Sequence, residues 1–308
     1  MNTKPHGIMF HHFHGQSHPK VQGSISSTDF ENIIKYLKKN FKLLDASEFF
    51  LKACKNSLSN YEICITFDDG LLCQYDIALP ILNKYKIKAF FNIYSSIFTE
   101  NPSNLEIFRH FRTTAFRTME EFYTNFFLIV EKEEVNLKNK KLIFNYKNYL
   151  PSSTYLSSDD KWFRYLRDHV LDKSSFEKIN FQLMKEKKYD LAKSKSNLWM
   201  KKRQVFDLNE NGHQIGLHTH NHPTNILSLN QKEQKFEYER NKNILENIIK
   251  KKIYTMSHPC GKYSGITISI LKEIGIILGF RSNLEIKGIK SSLEVPRENH
   301  ANLLKRIH

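Results

Sequence analysis

Two short stretches hold the residue types that do chemistry. "ITFDDG", Ile65 to Gly70, sets two carboxylates side by side at the end of an apolar run. "GLHTHNHP", Gly216 to Pro223, sets His218 and His222 four residues apart. A carboxylate is costly to place where a strand runs into a core, so Asp68 and Asp69 are either a turn or part of a site. Residues four apart face one way on a helical turn, which lets two imidazoles reach one ion. One Asp and two His, with positions left open for water, make a catalytic metal centre. Each motif alone is weak, since Asp-Asp-Gly is also a common turn. The chain has 14 His, with crowding at His11, His12, His14, His218, His220 and His222. That concentration favours a site over scattered structural histidines.

These residues need strands to carry them. "GIMFHHF" from Gly7 and "YEICITF" before Asp68 read as strands, as does "IKAFFNIYSS". Between the first two lies "STDFENIIKYLKKN", with Phe30, Ile33, Ile34 and Leu37 at helical spacing and a Thr28/Glu31 capping box. A second helix starts near Asp45. Pro80 in "CQYDIALPILNKY" predicts a kink or a late helix start. Strand, helix, strand, helix, strand argues for parallel pairing with right-handed crossovers. Asp68 and Asp69 then fall at a strand's C-terminal end, where α/β folds gather reactive groups.

The rhythm breaks from about Phe98 to Asn197, where helical periods replace strands. This predicts a helical insertion, residues 98–197, within a discontinuous α/β domain of residues 1–97 and 198–308. It leaves after one strand and returns just before the histidine strand, which puts it at the catalytic rim. Its Trp162, Phe163 and Tyr165, and Trp199 beside it, either stack on a ligand or pack; packing is favoured. The rhythm resumes with a helix, a turn at Asn211-Gly212 and the strand before His218. A long helix, the strand "IYTMSHPCG", the helix "GITISILKEIG", the strand "IILGFRS" and a last or edge strand "LEVPREN" follow.

Bulk properties bound the partners. With 40 % hydrophobic and 13 % aromatic residues, 308 residues bury a substantial core. The formal charge is +15, yet Lys outnumbers Arg 37 to 10. Nucleic-acid readers lean on Arg, so no nucleic-acid partner is expected. Weak attraction to an anionic membrane face is the alternative to a merely Lys-rich composition. Four Cys without a C-x-x-C pair suit a reducing compartment. "MNTKPHGIMFHHFHG" lacks an apolar core, so no signal peptide and a cytoplasmic location are expected.

The two motifs together resemble the polysaccharide deacetylase family, the NodB-homology domain of carbohydrate esterase family 4. "TFDDG" is its first motif, and "GHQIGLHTHNHP", Gly212 to Pro223, is similar to its second almost throughout. The resemblance covers residues 1–97 and 198–300. It implies an irregular (β/α) barrel and a metal-dependent amidohydrolase that removes N-acetyl groups from an amino sugar. It further implies that Asp69, His218 and His222 bind a divalent metal, usually zinc, and that Asp68 is the general base. The family's third motif, R-P-P-Y-G, is "SHPCG" here, Ser257 to Gly261. The Cys260 N–H would still serve the oxyanion. Ser257 stands where the base-orienting Arg belongs, which leaves Arg297 as its substitute. The family's acid-supplying His has no clear counterpart; His300 sits in the wrong context. Strand alternation instead puts His12 and His14 on one face and His11 on the other, with His12 and His14 as candidates. The expected partner is an amino-sugar glycan or a lipid- or nucleotide-linked precursor. The competing expectation is a degenerate fold that binds glycan or membrane, or a hydrolase of a non-sugar amide.

Overall fold

The computed structural model describes residues 3–133, 141–150, 156–285 and 291–307. The chain divides into two compact units: Met1–Ser103 with Asn197–His308, and Asn104–Ser196.

The first unit is a nearly closed barrel of parallel strands. Its strands are β1 (His6–Phe10), β2 (Lys42–Leu43), β3 (Glu62–Asp68), β4 (Phe90–Ile93), β5 (Gln214–Leu217), β6 (Thr255–Ser257), β7 (Leu278–Phe280) and β8 (Arg297–Asn299). They pair in the order β7-β6-β5-β4-β3-β1-β8, with β2 beside β3. A parallel bridge from Phe280 to Val295, two residues before β8, brings the ends together. The last segment is therefore the closing strand and not an edge.

Alternation on β3 decides what fills the barrel. Ile65 and Phe67 belong to the outward set, with Phe67 packing on Phe30 and stacking on Phe91. Cys64, Thr66 and Asp68 face the other way. Cys64 joins Phe90, Leu278 and Phe280 in a buried cluster with Phe49. Apolar packing thus fills one end of the interior, and the polar residues Thr66 and Asp68 are carried to the other.

Helices α1 (Ser27–Asn40), α2 (Ala46–Cys54), α3 (Leu79–Lys84) and the later ones join the strands. The cap of α1 lies two residues before the expected position. Ser26 accepts from Asp29 N–H and Asp29 accepts from Ser26 N–H, while Glu31 binds Lys84 and Tyr85 instead. Pro80 stands near the start of α3, after a π-helical turn at Gln74–Ala78.

The second unit holds α4 (Leu105–Thr114), α5 (Met119–Glu133), α6 (Ser158–Tyr165), α7 (Lys173–Glu186) and α8 (Leu191–Ser196). Its own core includes Phe111, Phe122, Phe126, Trp162, Phe163 and Ile179, all essentially closed to solvent. Trp162 and Phe163 therefore pack. The barrel completes with α9 (Lys202–Glu210), α10 (Gln231–Ile249), α11 (Gly265–Glu273) and α12 (His300–Ile307). No helix among the described residues is long and apolar enough to cross a membrane.

Candidate active site

Five strands deliver polar groups at or near their C-terminal ends, and Arg297 reaches in from the start of a sixth. Asp68 comes from β3, Asn92 from β4, His218 from the residue after β5, Ser257 from β6, Arg297 from the start of β8, and His11 from just beyond β1. After Asp68 the chain turns sharply, with Asp69 at φ 78° and Gly70 at φ 64°. A side chain at Gly70 would meet Ile93 Cγ2 at 2.8 Å, so this turn requires glycine. The turn sends Asp69 towards the loop after β5.

There Asp69 Oδ1 lies 3.4 Å from His218 Nε2 and 3.3 Å from His222 Nε2. The two Nε2 atoms are 3.1 Å apart. Ligand atoms on a tetrahedral ion with bonds of about 2.0–2.1 Å are separated by about 3.3 Å. Asp69 Oδ1 is buried and accepts no hydrogen bond. A buried acceptor left so costs about 1–3 kcal/mol, and a cation among the three atoms would satisfy it. The donor set thus fits a divalent metal, and it is the one such cluster among the described residues. The two histidines do not share a helical turn as their spacing suggests. They lie in a loop, with Thr219 at φ 63° and His222 at φ 51°, and the loop folds the two rings onto one point.

His218 is oriented through its other nitrogen. Nδ1 stands 2.9 Å from the Ser257 carbonyl and 2.7 Å from Ser257 Oγ. Donation from Nδ1–H to the carbonyl leaves Nε2 with its lone pair facing Asp69. Burial lowers the His218 pKa, but Asp68 and Asp69 outweigh it and the net direction is upward. Burial likewise raises the Asp69 pKa, and His218 and His222 outweigh it, holding the carboxyl well below its usual range.

Asp68 is buried and receives four hydrogen bonds. Arg297 donates from Nη1 at 2.8 Å and Nη2 at 2.7 Å, Ser257 Oγ at 2.9 Å and Asn92 Nδ2 at 2.9 Å. Burial alone would push this carboxyl up; the Arg297 guanidinium overrides it and the net direction is downward. Arg297 thus occupies the position expected of a substitute for the missing motif Arg. Ser257 is more than a vacancy in the motif, because its hydroxyl links Asp68 to His218. Gly216 makes room for this network: a side chain there would meet Asn92 Oδ1 at 2.2 Å.

The N-terminal histidines require a correction. His11 faces the site, with Nε2 3.9 Å from Asp68 Oδ2 and 4.0 Å from Asp69 Oδ2. His14 Nδ1 is engaged by Ser24 Oγ at 2.9 Å, and His12 is buried. β1 ends at Phe10, so alternation does not extend to these residues, and neither His12 nor His14 is the histidine brought to the carboxylates. Gln74, in the π-helical turn, ties His11 to the site by donating to the His11 carbonyl at 2.9 Å and the Asp68 carbonyl at 2.6 Å. His300 is buried against Phe10, in contact with the Met9 and Gly23 carbonyls. Cys260 lies in the loop after β6 with φ 52° and an exposed side chain. Trp199 is buried beside Tyr94, which also contacts His222.

The sequence of the polysaccharide deacetylase family matches residues 158–278, the stretch that carries both loop histidines, Ser257 and Cys260. A poly-beta-1,6-N-acetyl-D-glucosamine N-deacetylase of Staphylococcus aureus is 36 % identical over 100 residues, which cover 32 % of this chain and 34 % of that protein. The match thus spans about a third of the length of that relative. Among solved structures, IcaB from Ammonifex degensii superposes with a TM-score of 0.58 at 14 % identity, covering 99 % of this chain and 97 % of that one. The Streptococcus pyogenes deacetylase PplD in complex with acetate gives 0.56 at 17 % identity, covering 100 % of both chains. At these identities the likeness is one of fold, and it extends over the whole chain.

Proposed function

We propose that this chain, a divergent member of the polysaccharide deacetylase family, is a metal-dependent hydrolase that removes acetyl groups from the amino sugars of a glycan. The observation that carries the reading is the Asp69, His218 and His222 cluster beside a second carboxylate with its own oriented partners. A divalent cation, zinc by its donor set, would supply Lewis acidity at that point. Asp68 would take the proton of the attacking water, because Arg297, Ser257 and Asn92 hold it ionised and aimed. As the C–O bond forms and the C–N bond breaks, the leaving nitrogen needs a proton. His11 is the donor that faces both carboxylates, so we assign it that step. The Cys260 N–H would meet the developing negative charge on the acetyl oxygen. The products are acetate and the free amine.

The relative that acts on poly-beta-1,6-N-acetyl-D-glucosamine supports a β-linked N-acetylglucosamine polymer as the first substrate class to test. The charge of +15 is compatible with docking at an anionic membrane face, and we propose a lipid-linked precursor in the cytoplasm as the alternative substrate to test. Metal analysis decides the first step of the proposal. We expect one divalent ion per chain, and its loss in His218→Ala and in His222→Ala. Full metal content in both variants would remove the assignment.

A further inference from the structure

The loop that carries both histidines is gripped from behind by one face of α10. Glu237 and Asn241 lie four residues apart on that helix, and both are buried. Asn241 Oδ1 accepts the His218 N–H at 2.8 Å, and its Nδ2 donates to the Ile93 carbonyl at 3.0 Å. Glu237 Oε2 accepts the His220 N–H at 2.9 Å and the Asn221 N–H at 2.7 Å. Glu237 Oε1 accepts from Asn221 Nδ2 at 2.7 Å. Two side chains therefore hold the backbone of three of the five residues from His218 to His222.

The loop requires such a grip. Thr219 is β-branched yet sits at φ 63°, and His222 sits at φ 51°, backbone conformations that such residues rarely adopt unless their surroundings impose them. Thr219 Oγ1 accepts the His222 N–H at 3.1 Å, which tightens the turn but does not anchor it to the barrel. The anchor is α10. The three ligand atoms converge only while this conformation persists, and a change of a few tenths of an ångström spoils a metal geometry.

We infer that Glu237, aided by Asn241, is a positioning residue that raises the metal affinity of the site. It touches neither substrate nor ion and acts through the backbone between the two histidines. The inference rests on the metal reading above. Its test is a Co²⁺ titration of the metal-free full chain, followed by the cobalt d–d absorption and by competition for Zn²⁺.

Glu237→Gln keeps the shape but removes the negative charge, so the bonds to the His220 and Asn221 N–H groups lose their charge assistance, and the Asn221 amide must turn to keep its own. We expect its cobalt affinity to fall 10- to 100-fold, as for other partners that orient metal ligands, with a shifted d–d band. Glu239→Gln, exposed on the same helix, should match wild type. Asn221→Ala removes only the side-chain bond and should weaken binding about 3- to 10-fold; it also carries the test if Glu237→Gln does not fold. Wild-type affinity and an unchanged spectrum in whichever of Glu237→Gln and Asn221→Ala folds would overturn the inference while leaving the metal site intact. A wild-type chain that takes up no cobalt overturns the metal reading, and the inference with it.

Discussion

Arg297→Met removes the guanidinium and keeps most of the side chain's bulk. In the native site that group makes two charge-assisted bonds to Asp68 at 2.7 and 2.8 Å, one to Thr66 Oγ1 at 3.2 Å and one to the Arg281 carbonyl. Both partners of the ion pair are almost wholly buried, at 1 % exposure each. Each charge-assisted bond contributes about 1.5–3 kcal/mol, so the pair alone gives about 3–6 kcal/mol. Breaking a buried pair by removing one member costs about 3–5 kcal/mol by a separate route. The two agree, and we predict a destabilisation of about 3–5 kcal/mol at pH 7, softened because Ser257 and Asn92 still serve Asp68. Asp68→Asn should cost a comparable amount, because it strands the Arg297 charge. The double variant should cost much less than the sum, giving a coupling of about 3 kcal/mol. Urea unfolding of the metal-free proteins, with chelator present, measures all four states. A coupling below about 0.5 kcal/mol would refute the argument that Arg297 and Asp68 act as one buried unit. With the guanidinium gone, burial dominates the Asp68 carboxyl and its pKa rises, so remaining activity should fall most on the acid side.

Three further outcomes follow from the same structure. His11→Asn should retain the metal and lose turnover by about a hundredfold or more, the scale of a general acid; unchanged kcat would place the proton donor elsewhere. His213 and His258 are buried, and burial lowers the pKa of each from 6.5 to about 4. Both fold as neutral rings, so their stability contribution is complete above pH 6.5 and is lost as pH falls from 6.5 towards 4; at about 3 kcal/mol per group, acid unfolding monitored by circular dichroism should begin in that window and not below it. Replacing residues 104–196, which form their own helical core, with a short Gly/Ser linker should leave cobalt binding intact and reduce activity on a polymer more than on a small acetylated amino sugar. Equal activity on the polymer would assign that unit another role.

How much of this was legible in the sequence depended on the range of the interaction. The parallel α/β order and the strand ends at Asp68 and His218 were legible because alternation and helical period are local. The two motifs were legible because their spacing is short. The convergence of Arg297 on Asp68 was within reach because the missing motif Arg left a gap to fill, although 229 residues separate the two. Ser257 read as a loss, because a hydroxyl's two partners are invisible until β6 is paired with β5 and brought opposite Asp68 of β3. His11 was passed over for His12 and His14 because alternation was carried four residues past the end of β1. The cap of α1 was misplaced because Ser26/Asp29 and Thr28/Glu31 offer the same pattern, and only the tertiary pairing of Glu31 with Lys84 and Tyr85 separates them. The grip of Glu237 on the histidine loop had no sequence pattern at all, since one helix face looks like another until the loop is laid on it.

The central claim is that Asp68 works beside a metal held by Asp69, His218 and His222 to release acetate from an amino sugar. Acetate and free amine released from a β-1,6-linked N-acetylglucosamine oligomer test it directly, with wild type and Asp68→Asn compared before and after chelation and with zinc restored. We expect equal yields of the two products from wild type, loss on chelation, recovery with zinc, and a drop of about a hundredfold or more in Asp68→Asn at unchanged metal content. Acetate release that survives chelation, or that persists at the wild-type rate in Asp68→Asn, would contradict it.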